Sequence, residues 1–147
     1  MGGYKTVVVG TDGSDSSFRA VDRAGQLASG PDGKVIVATA YLPTPEDTRA
    51  ADTLKDEGYK MVGNAPIYDI LRDAAERARA AGAADVEERA IEGAPVDALV
   101  ELANEVGADL LVVGNVGLNT IAGRLLGSVP ANVARKATSD VLIVHTT

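Results

Sequence analysis

Glycines and a serine late in the chain have the clearest potential for ligand chemistry. The stretch that follows the apolar run Leu110–Val113 contains Gly114, Gly117, Gly127 and Ser128. Glycine lets a ligand approach the backbone closely. Ser128 stands before a helix predicted over Pro130–Arg135, where unpaired N–H groups and the helix dipole favour an anion. The stretch therefore predicts a loop that holds phosphate with backbone groups.

A second set of candidate residues follows the first predicted strand. Gly10, Thr11 and Asp12 come directly after the β-branched run Thr6–Val9. We expect Gly10 and Thr11 to offer backbone contacts to a ligand. Two interpretations stay open for Asp12. Its side chain contacts a ribose, an adenine or a metal-linked phosphate, or it has a local role in capping the following helix, since turns favour Asp for local reasons.

Strands that alternate with helices must position both sets. The predicted strands are Thr6–Val9, Val35–Ala40, Val86–Ile91, Leu110–Val113 and Val141–Val144. Continuous apolar runs are typical of parallel strands that are covered on both faces. The charged third run is predicted to be a short edge strand. The alternation predicts an α/β fold with one parallel sheet, in which ligands bind beyond the carboxyl ends of the strands.

Apolar residues recur at helical spacing between these strands. The inward-facing positions of three helices are predicted to be Phe18, Val21, Gly25 and Ala28; Ile67, Ile70, Leu71, Ala74 and Ala78; and Val96, Leu99, Val100, Ala103 and Val106. We expect these helices to end at Gly30–Gly33, Gly82 and Gly107. Pro95 fits the first turn of the third helix.

One long segment, Leu42–Pro66, has no clear periodicity and is rich in acidic residues and proline. It is predicted to be a solvated insertion with a short helix around Arg49–Asp56. A lid over a binding site is the alternative, because long irregular loops in compact domains often serve as lids.

Composition limits the function classes. A chain of 147 residues predicts one domain, residues 1–147, and 46% hydrophobic residues predict a globular fold. The net charge of -7 and the lack of a basic stripe argue against nucleic-acid binding. The absence of cysteine excludes disulfides and thiolate catalysis. No signal-peptide pattern and no apolar run of roughly 20 residues occur, so we expect a soluble, cytoplasmic protein without a membrane partner.

The spacing Gly-x2-Gly-x9-Gly-Ser, which begins at Gly114 and ends at Ser128, resembles the nucleotide-binding signature of the universal stress protein family. Lys5–Ser14 and Asp140–His145 resemble the first and last strands of that family. The similarity covers nearly the whole chain and is greatest to the mycobacterial-type members that bind cyclic AMP (cAMP).

The resemblance implies a Rossmann-like, doubly wound five-stranded sheet in the order 3-2-1-4-5, with strands 1 and 4 adjacent. It also implies that Ala40 lies beside adenine and offers backbone groups to its edge. The nucleotide-binding residues would be Gly10, Thr11, Asp12, Ala40, Gly114, Asn115, Val116, Gly117, Gly127, Ser128, Val129 and Pro130. Family members commonly dimerise through the last strand, so we expect a homodimer through Val141–Val144. The single histidine, His145, is interpreted as a strand or interface residue.

Charge distinguishes two possible ligands. Many ATP-binding relatives carry a basic side chain within the Gly-x2-Gly segment, but here no basic residue lies between Gly114 and Gly123, and Arg124 is the only cation of the loop. A loop built mainly of backbone donors favours the smaller charge of cAMP over ATP. Magnesium is expected only with ATP.

Three functions remain after several enzyme classes are excluded. The sequence has no Gly-x-Ser-x-Gly elbow, no P-loop motif and no Gly-x-Gly-x-x-Gly after the first strand. The leading hypothesis is a non-enzymatic adenine-nucleotide-binding protein that acts as a sensor or buffer. The alternatives are a slow ATP hydrolase or autophosphorylating protein, in which Asp12 positions magnesium, and a dimeric stress adaptor without a physiological nucleotide.

Overall fold

A parallel sheet of five strands forms the centre of the computed structural model, which describes residues 4–28, 30–41, 65–114 and 129–145. The strands are β1 (Thr6–Gly10), β2 (Gly30–Tyr41), β3 (Ala83–Glu92), β4 (Leu110–Gly114) and β5 (Asp140–Val144). The helices in the described ranges are α1 (Asp15–Leu27), α2 (Ala65–Ala81), α3 (Pro95–Val106) and α4 (Val129–Lys136). The strand order is β3-β2-β1-β4-β5. The predicted α/β class and the order 3-2-1-4-5 are therefore confirmed.

Two apolar layers cover the sheet, one on each face. Alternate strand residues such as Val7, Val9 and Val112 pack against α1 and α2. Their neighbours, such as Val8 and Leu111, pack against α3 and α4. This alternation follows from the two-residue period of a strand, and burial on both faces explains why the central strands read as continuous apolar runs.

The connection between α1 and β2 differs from the sequence expectation. Gly30–Gly33 was expected to end the first helix before a strand that begins at Val35, but these residues already belong to β2. The pairing of β2 with β3 is irregular at this end. A Cβ atom on Gly33 would lie 1.7 Å from the carbonyl oxygen of Ala28. The close passage of β2 past the end of α1 therefore requires glycine at residue 33. The periodicity of the sequence does not show that the two elements approach each other here.

The third strand occupies an edge of the sheet, as predicted, but it is not short. It extends over ten residues instead of the predicted Val86–Ile91. Its pairing with β2 runs from Ala83 to Glu92. The length of β3 is thus determined by pairing with the long β2 rather than by its own apolar content, because tertiary context outweighs strand propensity.

The predicted helical stripe of α2 is confirmed except at Ile70, which is only partly buried, and the predicted stripe of α3 is confirmed only in part. The buried residues of α2 are Ile67, Leu71, Ala74, Ala75 and Ala78. The buried positions of α3 are Pro95, Ala98, Leu99, Leu102 and Ala103. The predicted inward residues Val96, Val100 and Val106 are only partly buried, so the packed face of α3 is rotated from the predicted one. The short helix predicted around Arg49–Asp56 lies outside the described residues.

Candidate functional site

The carboxyl ends of β1 and β4 lie side by side near the middle of the sheet. The helix that follows β1 packs on one face, and the described helix that follows β4 packs on the other. The strand order reverses here, and open α/β sheets bind ligands in the crevice at such a point. Val9 pairs with Val112, so continuing the register by two residues brings Thr11 level with Gly114. The fold thus places the starts of both predicted ligand-binding segments next to each other.

Hydrogen bonds anchor the β1–α1 loop, defined here as Thr11–Ser14, to its surroundings. The Thr11 N–H donates to the carbonyl oxygen of Ala38 at 2.9 Å, and the Thr39 hydroxyl donates to the Thr11 carbonyl at 3.0 Å. Thr11 Oγ1 lies 2.7 Å from Ser17 Oγ. These three hydroxyl-bearing residues are at most 3% exposed. The loop is therefore held to β2 and α1 by polar groups that are removed from water.

Asp12 lies in the partly exposed portion of this loop. Its Oδ1 atom accepts a hydrogen bond from the Ser14 N–H at 3.0 Å. Ser14 is the N-cap of α1, and its hydroxyl oxygen accepts from the Ser17 N–H at 3.1 Å. The capping role considered for Asp12 thus belongs to Ser14, while Asp12 orders the turn before the cap. A contact between Asp12 and a nucleotide stays a prediction.

Gly13 is a position in the loop where glycine is required. Its φ angle is 87°, and a Cβ atom there would lie 2.9 Å from the side chain of Ile70 on α2. A side chain at residue 13 would therefore be both strained and crowded. Contacts with β2 and α1, and the close approach of α2 at Gly13, give the loop a defined shape without a ligand.

Ala40 is near the end of β2, pairs with Ile91 and is 6% exposed. The next residue, Tyr41, is partly buried beside the apolar layer under α1 and α2. Burial, together with the charge of Glu92 and the nearby Tyr68, raises the pKa of the Tyr41 phenol. Tyr41 therefore remains a neutral side chain near physiological pH. Ala40 is placed at the carboxyl edge of the sheet, and its contact with adenine stays a prediction.

Of the remaining predicted site residues, four lie within the described ranges and five lie outside them. Gly10 and Gly114 are buried at the ends of β1 and β4 and pair with Ala38 and Val144, respectively. Val129 and Pro130 are the first residues of α4. The other predicted residues lie outside the described ranges: Asn115, Val116, Gly117, Gly127 and Ser128. The phosphate-binding role of the glycine-rich stretch is thus still a prediction.

Thr39 and Ser17 lie beside the β1–α1 loop and were not among the site residues predicted from the sequence. A weak signal was present for both. Thr39 is a polar residue inside the apolar run Val35–Ala40, and Ser17 lies on the side of α1 that also carries Ala20, Val21 and Ala24. Buried hydroxyls require hydrogen-bond partners, but the sequence does not identify those partners.

A separate groove of about 490 Å³ lies between α1 and α2. Its lining is formed by Asp15, Phe18, Asp73, Glu76, Arg77 and Ala80. The Arg77 guanidinium is 2.6 Å from Asp22 and 5.3 Å from the centre of the Phe18 ring. The hydrogen bond to Asp22 raises the pKa of Arg77. The groove contains none of the predicted site residues, and its most prominent cation is already paired.

The described ranges contain neither a cluster of metal-binding side chains nor a membrane-spanning helix. No group of three or more His, Cys, Asp or Glu side chains in this part of the chain could hold a metal ion. No helix among the same residues is long and apolar enough to cross a membrane.

A family model described as "Universal stress protein family" matches residues 3–145. The chain belongs to the universal stress protein family. This universal stress protein is 75% identical over 147 residues to a universal stress protein of Mycobacterium tuberculosis strain H37Rv, and the match covers 100% of both chains. The family predicted from the glycine spacing and the terminal strands is confirmed.

Solved structures of relatives share the fold. A universal stress protein in complex with cAMP has 66% sequence identity and a TM-score of 0.77, and the match covers 99% of this chain and 100% of that one. The universal stress protein of Archaeoglobus fulgidus in complex with dAMP has 26% identity and a TM-score of 0.68, with 95% and 97% coverage. Both of these relatives therefore hold an adenine nucleotide.

Proposed function

We propose that this universal stress protein binds an adenine nucleotide in the crevice between β1 and β4, prefers cAMP, and acts in the cytoplasm as a sensor or buffer rather than as an enzyme. The observation that carries the proposal is the relative with 66% identity over 99% of this chain that was solved with cAMP. The dAMP complex of the more distant Archaeoglobus fulgidus relative supports the adenine nucleotide as the ligand class.

The proposed contacts divide the nucleotide between the two segments at the crevice. The glycine-rich stretch from Gly114 to Ser128 and the first residues of α4 would hold the phosphate. Gly10, Thr11 and Asp12 would contact the rest of the nucleotide, and Ala40 would lie beside adenine. The lack of a basic residue between Gly114 and Gly123 supports cAMP over ATP, because a polyphosphate with magnesium presents more charge to be matched.

The two alternative functions have distinct signatures. A slow ATP hydrolase would release phosphate only with magnesium and would lose that release in a folded Asp12→Ala variant. A stress adaptor without a nucleotide would show no ligand-induced stabilisation. Neither alternative has an observation in its favour among the described residues.

Thermal unfolding provides the test of nucleotide binding. A ligand that binds the native state at a hundred times its dissociation constant stabilises it by about 2.7 kcal/mol. For a chain of 147 residues this stabilisation corresponds to a rise in Tm of roughly 5–10 °C. We expect that rise with cAMP and a much smaller one with cyclic CMP, which has the same charge but lacks a purine. A folded protein whose Tm does not respond to cAMP would refute the proposal.

We also propose that the protein forms a homodimer through β5. Among the described strands only β4 pairs with β5, so no described strand covers the other edge of β5. Ile143 of this strand is 42% exposed, and an exposed apolar edge favours pairing with another chain.

Sedimentation tests the dimer. The wild-type protein is expected to have the mass of two chains at micromolar concentration, and Ile143→Asp should shift it towards the monomer by placing a charge in the interface. Tyr68→Asp is the matched control, because Tyr68 is 48% exposed on α2, away from this edge. A wild-type protein that stays monomeric at all micromolar concentrations, or an equal shift towards the monomer in both variants, would argue against the β5 interface.

A further inference from the structure

The buried hydroxyls of Thr11 and Ser17 form a small hydrogen-bond network with the backbone of the β1–α1 loop. Ser17 Oγ donates to the carbonyl oxygen of Ser14 at 2.9 Å, which uses its single proton. It must therefore accept from Thr11 Oγ1, which lies 2.7 Å away. Ser17 Oγ also accepts from the Asp12 N–H at 3.3 Å, and Thr11 Oγ1 accepts from the Gly13 N–H at 3.1 Å. This arrangement satisfies every contact with one proton on each hydroxyl.

The backbone N–H groups of the loop all have acceptors within the protein. Each donates internally: Thr11 to Ala38, Asp12 to Ser17, Gly13 to Thr11, and Ser14 to Asp12. Loops that bind phosphate before a helix use such N–H groups as donors to the anion. Here these donors are already engaged, and the Asp12 carboxylate, which lies in the partly exposed portion of the loop, is an acceptor. The backbone of the loop is therefore not arranged to hold a phosphate, and the Asp12 carboxylate is suited to hydroxyl or amino groups of a ligand.

We propose that Thr39 and Ser17 are positioning residues of the nucleotide site, whose hydroxyls hold the β1–α1 loop with its N–H groups bonded internally so that it contacts the sugar or the base. This inference rests on the proposed function, since it concerns the same crevice. Thr39 acts from β2 through its bond to the Thr11 carbonyl. Ser17 acts from α1 through its bonds to Thr11 and Asp12.

The test compares two ligands that differ in phosphate. Calorimetric titration would measure cAMP affinity, and displacement of cAMP would measure adenosine affinity. We expect Thr39→Val and Ser17→Ala each to weaken both ligands by the same factor of about ten, which corresponds to about 1.4 kcal/mol. Thr39→Ser keeps the hydroxyl and is expected to stay within about twofold of wild type, since it retains the hydrogen bond.

Val7→Ala serves as the control for lost stability. Val7 is fully buried at the opposite end of β1, so this variant should lower Tm and keep the wild-type affinities. Thr39→Val and Ser17→Ala change different elements, so either variant tests the inference if the other does not fold. If neither folds, the test is Thr39→Ser, which is expected to fold and to keep both affinities. A weaker affinity of Thr39→Ser for cAMP or for adenosine would contradict the positioning role.

Several results would overturn the inference. Folded Thr39→Val and Ser17→Ala proteins with wild-type affinities would show that the two hydroxyls position nothing. A loss of affinity for cAMP but not for adenosine would mean that the loop binds the phosphate. An equal loss of affinity in Val7→Ala would show that the weaker binding comes from lower stability of the fold. A wild-type protein that binds neither ligand would refute the proposed function itself. That result is distinguishable from failure of the inference, because it is seen in the wild-type protein and not in the variants.

Discussion

Replacing Gly114 by alanine is expected to weaken cAMP binding by about tenfold or more, the equivalent of about 1.4 kcal/mol, while the protein still folds. Gly114 is the last residue of β4 and pairs with Val144. Alanine is compatible with a strand, so the fold should tolerate the change. In the crevice, the added methyl group would occupy space where the backbone is proposed to approach the ligand. Calorimetric titration of the folded variant with cAMP is the measurement.

Gly107→Ala is the matched control for this variant. Gly107 ends α3 with a φ angle of 67°, and a Cβ atom there meets no other atom within 4 Å. Alanine at this left-handed position should lower stability by about 1 kcal/mol without touching the crevice, so cAMP affinity should be unchanged. Wild-type affinity in Gly114→Ala, or an equal loss in both variants, would contradict the proposed position of the ligand.

A second large effect is expected for Gly25→Ala, on stability rather than on binding. Gly25 lies where α1 crosses α2, and a Cβ atom there would be 2.6 Å from the carbonyl oxygen of Ala78 and 2.8 Å from the Cβ of Ala81. Alanine improves helix propensity by about 1 kcal/mol, but overpacking against a backbone atom costs up to about 3 kcal/mol. The expected net loss is about 2 kcal/mol, or roughly 4–8 °C in Tm.

Thermal unfolding of three variants tests the Gly25 prediction. Gln26→Ala changes the next residue of α1, which is exposed, and should leave Tm nearly unchanged. Adding Ala81→Gly to Gly25→Ala should not restore Tm, because the closer contact is with the Ala78 backbone. A Gly25→Ala protein as stable as wild type would show that α1 and α2 can separate without loss.

The sequence predicted the strands well where burial on both faces makes them continuous apolar runs, as in β1 and β4. It failed where tertiary pairing decides the outcome. The early start of β2 depends on the passage of Gly33 past the Ala28 carbonyl, and the length of β3 depends on pairing with β2. The strand order was not derivable from periodicity and came from the family resemblance.

The candidate site shows the same division. Gly10, Thr11 and Asp12 were recognised because loops after parallel strands form ligand sites. Thr39 and Ser17 were not recognised, since a lone hydroxyl in an apolar run or on a helix face does not show which buried group it bonds. The structure identifies those groups: the Thr39 hydroxyl of β2 bonds the Thr11 carbonyl, and Ser17 Oγ of α1 bonds Thr11 Oγ1.

The most direct test of the central claim is calorimetric titration of the purified wild-type protein with cAMP and, separately, with ATP plus magnesium. Binding of an adenine nucleotide in a crevice whose loop has few basic side chains predicts that cAMP binds more tightly than ATP. Tighter binding of ATP with magnesium would contradict the preference and make hydrolysis the next assay. A folded protein that binds neither nucleotide would contradict the proposed function as a whole.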